Sequence, residues 1–348
     1  MSPAATSCSR TRADAIAIRY QIGAEWAVHL VDGGYSMTAP DVAKFIRGTY
    51  GTDLINHVVV THPDRDHAEG LAPILERFRV GALWMLRPWE YAAQLYPYFP
   101  LYQSVEAVAK RLQNEYPYIY DLEKIARRRG IDILEPFQGA YIGPFRVLAP
   151  SPTRYLQLVI QSEKTPKDGP VGILGGLMQA AASIVHFIKA GWGSEKFSEE
   201  ATSVENEMSV IQYAVLCGDK ISLTGDAGRD GLTQAAHYAV NDGHSVPVNK
   251  FQVPHHGGRR NLSSELLDFW VGPRLPQMVP KGQEKFSAVI SSAKEDVAHP
   301  RKAVLRALRH RGAFILTTED SPNIVQRNST RTWMVVENVP YPDEQEED

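Results

Sequence analysis

Cysteine is scarce in this chain: Cys8 and Cys217 are the only two in 348 residues. Two distant thiols cannot build a disulfide framework, and neither sits in a CxxC pair. A cysteine-based zinc site is therefore excluded, and a reducing, cytoplasmic compartment is expected. An excess of one charge is also missing. The 37 Lys and Arg residues against 40 Asp and Glu residues leave a net charge of -3, so any nucleic-acid contact has to come from a local patch. No apolar run follows the basic residues of the N-terminal MSPAATSCSRTRADAIAIRY, which argues against a secretory signal. Internal repeats and low-complexity linkers are absent. One segment, VGILGGLMQAAASIVHFIKA (171–190), approaches the ~20 residues that a membrane-spanning helix needs. Its Gln179, Ser183, His186 and Lys189 and its paired glycines make it a buried or lid helix instead, with an interfacial helix or a partner-binding face as the alternative.

Apolar runs of strand length recur along the chain: AIAIRYQI (15–22), WAVHLVDGG (26–34), INHVVVTH (55–62), GALWMLR (81–87), YIGPFRVLAP (141–150), MSVIQYAVLCG (208–218), KISLTGD (220–226), KFQVPHHGG (250–258), FSAVISSAK (286–294) and GAFILTTE (312–319), with TWMVVEN (332–338) as a further member. Between them lie segments of helical spacing, such as AEGLAPILERF with Leu71, Ile74, Leu75 and Phe78. Strands and helices that interleave in this way predict an α/β (α+β) protein with layered sheets. A chain that is 43% hydrophobic and 22% charged is long enough to bury one large core or two smaller ones.

Four polar clusters stand just past the ends of strand-like runs: Asp32-Gly33-Gly34, the His62, Asp64, Asp66 and His67 group, Thr224-Gly225-Asp226, and His255-His256-Gly257-Gly258. Imidazole nitrogens and carboxylate oxygens are ligands for first-row metals. Alternate residues of an extended segment share a direction. His62, Asp64 and Asp66 are thus expected to face one way, with His67 turning in as a helix begins. A single His or Asp after a strand is ordinarily a turn residue. Four within six positions, with further clusters after other strands, predict a metal site.

The ordered set VDGG (31–34), THPDRDHAEG (61–70), LTGDAG (223–228), VPHHGG (253–258) and AVISSAK…AHPRKAVLRAL (288–308) resembles the metallo-β-lactamase superfamily, and most closely the hydrolase domain of ComEC-type DNA-uptake proteins. The resemblance leaves out only residues 88–205. It implies a four-layer αββα sandwich over residues 1–338, with a helical insertion at about 88–205 that acts as a lid or partner surface, and an acidic disordered tail at 339–348. It assigns His62 and Asp64 to one divalent ion and Asp66 and His67 to another. Asp226 bridges, and His256 or His255 completes the set. Asp66 also orients the attacking water, and Asp32 orients a ligand rather than binding metal itself. His299 lies behind the ligands or near the leaving group, with a purely structural role as the alternative.

Two departures from the superfamily pattern bear on the metal. Asp64 stands where the superfamily has His, as in ComEC-type proteins, and the added oxygen tilts preference from zinc towards manganese or magnesium. A further His ligand is missing: between His67 and Asp226 the only histidine is His186, and the usual slot falls on VENEMS, where Glu205, Asn206 or Glu207 can substitute. One or two ions are therefore expected.

The function expected from this set is metal-dependent hydrolysis by activated water. Arg259, Arg260, Ser263 and Ser264, a few residues past His256, are candidate phosphate contacts, which favours a phosphodiesterase or nuclease acting on DNA or a nucleotide. Arg127 to Arg129 read as a solvated helix face, and the tyrosines between 91 and 120 as core. The alternatives are a lactone or thioester hydrolase of the same fold, and a non-catalytic binding module working in a complex through residues 88–205.

Overall fold

The computed structural model describes residues 4–7, 14–162, 164, 186–293, 296, 298–319, 323–326 and 337–347. Strands β1 (Ala4–Ser7), β2 (Ile16–Ile22), β3 (Glu25–Val31), β4 (Leu54–Val59), β5 (Arg79–Trp84) and β6 (Asp132–Leu134) are followed by β7 (Tyr141–Ile142), β8 (Phe145–Ala149), β9 (Phe187–Lys189), β10 (Ile211–Leu216) and β11 (Asp219–Leu223). Strands β12 (Lys250–Gln252), β13 (Phe286–Ile290), β14 (Ala313–Thr317), β15 (Asn323–Gln326) and β16 (Glu344–Glu346) complete the series. The α-helices are α1 (Ala39–Phe45), α2 (Arg65–Ala68), α3 (Leu71–Arg77), α4 (Ala92–Leu95), α5 (Val105–Glu115), α6 (Pro117–Arg129), α7 (Pro152–Gln161), α8 (Val204–Glu207), α9 (Arg229–Asn241), α10 (Ser264–Val271) and α11 (Lys302–His310).

The protein is a mixed α/β structure. One seven-stranded sheet has the order β15-β1-β2-β3-β4-β5-β6, and another the order β14-β13-β12-β11-β10-β8-β7. Strands β3 to β6 run parallel in the first, and β11 to β14 run parallel in the second. Such interior strands are covered on both faces, which is why HLV of β3 and VV of β4 are apolar or buried without alternation.

Where the sheets meet, period-two alternation governs. Val147 of β8 joins the core that holds Ile18, Leu30 and Val58, while its neighbour Leu148 joins a second core with α9, α10 and α11. Phe145 of the second sheet packs on Tyr20 and His29 of the first, with ring centroids 6.2 and 4.6 Å apart. Helices α3, α5 and α6 add Leu71, Leu112 and Leu122 to the first core, and Leu232, Trp270 and Val304 line the second. At one edge the two sheets are joined directly: Val210 N donates to Thr61 O at 3.0 Å, and Gln252 Nε2 donates to Asp14 Oδ2 at 2.8 Å.

Residues 88–205 are not a separate helical insertion. They supply β6 to the rim of the first sheet, β7 and β8 to the second, and helices α4 to α7. The apolar segment at 171–190 lies outside the described residues up to position 185, as does most of TWMVVEN. His186, expected inside an apolar helix, is exposed beside β9. No helix among the described residues is long and apolar enough to cross a membrane.

The acidic tail is a further correction. Its residues Glu344–Glu346 form β16, antiparallel to β9, and Gln345 and Glu346 are buried. The reason is an unmet need at the start of α11, where the first N–H groups have no partner within the helix. Glu346 accepts from Lys302 N and Ala303 N, both at 2.9 Å, and a carboxylate also suits the positive end of the helix. Arg306, wholly buried, donates to Ser194 O and Pro342 O. Glu346→Ala is expected to lower stability in urea unfolding by about 1–3 kcal/mol, the cost of leaving buried donors unmet. Glu344→Ala, which loses only a surface pair with Lys302, should change it by less than about 1 kcal/mol.

A second prediction concerns His29, sealed between the sheets. Burial pushes its pKa down to about 3, and the neighbouring His57 pushes the same way. The unfolded chain takes up this proton near pH 6.5 and the folded chain does not. Stability from this group is thus complete above pH 6.5 and is lost as pH falls towards 3, at up to about 1.4 kcal/mol per pH unit. His29→Leu should flatten the loss in urea unfolding between pH 7 and pH 5, by on the order of 2 kcal/mol.

Candidate metal centre

The parallel strands of both sheets end at one edge, and the polar clusters sit there. Asp32 follows β3 with a left-handed φ of 56°, which turns its carboxylate inward. Its Oδ1 accepts from Thr61 N at 2.8 Å, and its Oδ2 accepts from Thr61 Oγ1 at 2.6 Å and from His67 Nδ1 at 2.8 Å. The loop around it closes on α2 and α3 because Gly33 and Gly70 abut: a Cβ on Gly70 would lie 1.9 Å from Gly33 O. Only glycine permits that approach.

Three imidazoles are oriented in the same manner. His67 gives its Nδ1 proton to Asp32, His256 gives its own to Ser291 O at 2.9 Å, and His62 Nδ1 meets Thr61 Oγ1 at 3.0 Å. Each therefore turns its Nε2 towards the neighbouring carboxylates, as a metal-binding histidine does when its other nitrogen is held from behind. His67 Nε2 lies 3.4 Å from Asp226 Oδ1 and 3.9 Å from Asp66 Oδ2. His256 Nε2 lies 3.5 Å from Asp66 Oδ2. His62 Nε2 lies 3.8 Å from Asp64 Oδ2 and 3.9 Å from Asp226 Oδ2. Two ligand groups result, His62/His67/Asp226 and Asp66/His67/His256, each with ligand atoms within 4.8 Å of one another.

Asp226 is set by its loop. Thr224 N and Gly225 N donate to Gln252 Oε1, Asp226 N donates to Ser209 Oγ, and Asn261 Nδ2 donates to Asp226 O. His255 and His256 both adopt left-handed φ, 49° and 54°, a conformation that costs on the order of 1–2 kcal/mol in non-glycine residues. The result aims His256 inward, while His255 stays half-buried with Nε2 3.9 Å from Asp226 Oδ2.

The donor set fits a divalent cation. His62 Nε2, His67 Nε2 and Asp226 Oδ1 are buried and lack any hydrogen-bond partner, a costly state for polar atoms unless an ion completes it. Carboxyl groups crowd the site: Asp14, Asp32 and Asp226 are buried there and Asp66 is partly buried. Burial alone lowers the pKa of His256, but hydrogen bonding to Asp66 and the charges of Asp226 and Asp14 carry it up to about 9. Burial opposes ionisation of Asp66 too, yet His67 and His256 bring it down to about 2.

The other expected site residues are placed differently. Asp64 is extended and precedes α2, but Asp66 and His67 both lie within that helix, so the extended run stops two residues earlier than its spacing suggested. Ser263 caps α10 by accepting from Leu266 N, and Ser264 donates to Glu195. These serines serve the fold rather than a phosphate. Arg260 is paired with Glu200, and Arg259 Nη1 donates to Lys196 O. His299 bonds Asp296 through Nδ1 at 3.0 Å, with its ring 5.9 Å from that of His255, and burial pushes its pKa down to about 4. Glu207 is taken by Gly231 N and Arg154, and Glu205 by Ser162. Neither these nor Asn206 enters a ligand group among the described residues. The basic run at 127–129 is held by Glu123, Glu76 and the carbonyl of Phe78.

Residues missed by sequence reasoning are Asp14, Lys164, Gln252, Asn261 and Asp296. Asp14 is buried, with Oδ1 3.9 Å from His256 Nδ1. Its signal in the sequence was a lone Asp directly before an apolar strand. No family model matches the chain, and no curated protein matches it either.

Chelator-treated protein titrated with manganese or zinc should show a rising melting temperature, equivalent to about 2.7 kcal/mol at a hundredfold excess over Kd. His67→Ala should remove most of that rise.

Proposed function

We propose that this chain is a metal-dependent hydrolase of the metallo-β-lactamase type, cleaving a phosphodiester bond of DNA or a nucleotide. The observation that carries the reading is the convergence of three Nε2 atoms and Asp226 at the shared edge of two facing sheets, reached through the motifs VDGG, THPDRDHAEG, LTGDAG and VPHHGG in that order. Helices packed outside two face-to-face sheets are what a four-layer αββα sandwich requires. The two-cysteine composition suits a cytoplasmic setting.

His67, His256, Asp66 and Asp226 would hold a cation, with His62 and Asp64 beside them. A divalent cation there supplies Lewis acidity and acidifies water, so that attack on a phosphorus centre proceeds near neutral pH. The mixed oxygen and imidazole set suits manganese or zinc, with magnesium also possible.

The remaining work belongs to the side chains. His62 and His67 are shielded from solvent, whereas the side chains of Asp64, Asp66 and His255 are 29, 24 and 32% exposed. Substrate therefore approaches across those three. Asp66, held ionised, accepts a hydrogen bond from the attacking water at Oδ2 and fixes its line of approach. Asp32 keeps the proton on His67 Nδ1, so that Nε2 would be the nitrogen available to a cation.

Reconstituted protein should cleave bis-p-nitrophenyl phosphate and single-stranded DNA and leave a panel of lactones intact. Asp66→Ala should lower kcat by about 10²–10⁴-fold with the circular dichroism spectrum unchanged. Hydrolysis of lactones alone, or full activity in Asp66→Ala, would sink the proposal.

A further inference from the structure

We infer that the ammonium group of Lys164 takes the place of a second cation, so that the centre holds a single metal ion per chain. The inference rests on the metal-centre reading above and concerns how many ions that centre accepts.

The two ligand groups both draw on His67 Nε2, and one lone pair serves one ion. Given to the group with Asp66 and His256, it leaves a second position with His62 Nε2, Asp64 Oδ2 and Asp226 Oδ2, whose carboxylate oxygens lie 3.8 and 3.9 Å from that nitrogen. Without His67, no group of three ligands forms around His62 among the described residues.

A lysine stands against Asp64 from the other side. Lys164 Nζ donates to Asp64 Oδ1 at 2.8 Å, the oxygen opposite the one facing His62. A dication on Asp64 Oδ2 would stand a carboxylate's width from the ammonium, and the like charges would repel. The lysine also consumes negative charge that the second ion needs.

Its position is set by buried groups. Lys164 N donates to Ser162 Oγ at 3.2 Å. Tyr116 OH donates to the same oxygen at 3.2 Å, and Ser162 Oγ donates to Glu205 Oε1. Ser162, Tyr116 and Glu205 are all buried. Glu205 lies in the VENEMS segment expected to supply a metal ligand. In this structure that segment contributes instead to the anchor beneath the lysine.

The test is ion stoichiometry. Full-length protein is stripped with chelator and dialysed to equilibrium against manganese, and bound metal is counted by mass spectrometry. Electron paramagnetic resonance then reports any coupled manganese pair. Wild type is expected to bind one ion with an uncoupled spectrum. Lys164→Met should bind two and show coupling, and Lys164→Arg, which keeps the charge, should bind one. Lys164 is 41% exposed, so both replacements should fold. Two ions in wild type overturn the inference and leave the hydrolase proposal standing. One ion in both wild type and Lys164→Met removes Lys164 from the role. No bound ion in any variant overturns the inference and the metal-centre reading together.

Discussion

The carboxylate of Asp32 is the fixed point about which the candidate centre is arranged. It is buried, and it accepts three hydrogen bonds from two elements: the amide and hydroxyl of Thr61 after β4, and the imidazole of His67 in α2. A buried carboxylate is tolerated only when such donors surround it. In meeting that requirement Asp32 ties β3 to β4 and settles which nitrogen of His67 is free. Thr61 then passes the orientation on to His62, and Val210 N on Thr61 O carries it to the second sheet.

A second junction sits across the cleft. Gln252, at the end of β12, donates to Asp14 and accepts from the amides of Thr224 and Gly225. One amide side chain thus links the start of β2 with the loop that presents Asp226. Each sheet supplies part of the ligand set, and neither sheet alone could position it. The strain at His255 and His256 is borne by a loop that Asn261 holds from inside, through His255 Nδ1 and the carbonyls of Asp226 and Ala227.

How much of this was legible in the sequence follows from the kind of signal involved. The strands and polar clusters at their ends were readable because apolar runs that stop abruptly at His, Asp and Gly are local patterns. Asp14 was not, because its position depends on β2 running antiparallel to β3, which brings the beginning of one strand to the end of the other. A sequence does not announce strand direction. The serines at 263 and 264 illustrate a different limit. Their hydroxyls looked available for phosphate until a glutamate 69 positions before Ser264 proved to accept from it. The acidic C-terminal stretch misled for a related reason. Composition says that such residues prefer water, but the otherwise unpaired amides at the head of α11 are a stronger claimant for Glu346. The helical placement of Asp66 shows that period-two reasoning fails once a helix starts within the motif.

The tie between β16 and α11 bears on how the protein is made. The loop bearing His256 is held by Arg301 N donating to Gly257 O and by Pro300, which leaves no room for a Cβ at Gly257. Both residues stand at the head of the helix that Glu346 secures. During translation, His62, His67 and His256 all leave the ribosome before that glutamate, His256 by ninety residues and the other two by far more. A nascent chain in this interval already carries the three histidines while the brace behind the His256 loop is unfinished. Strand β16 thus supports the His256 loop from a distance, through the head of α11.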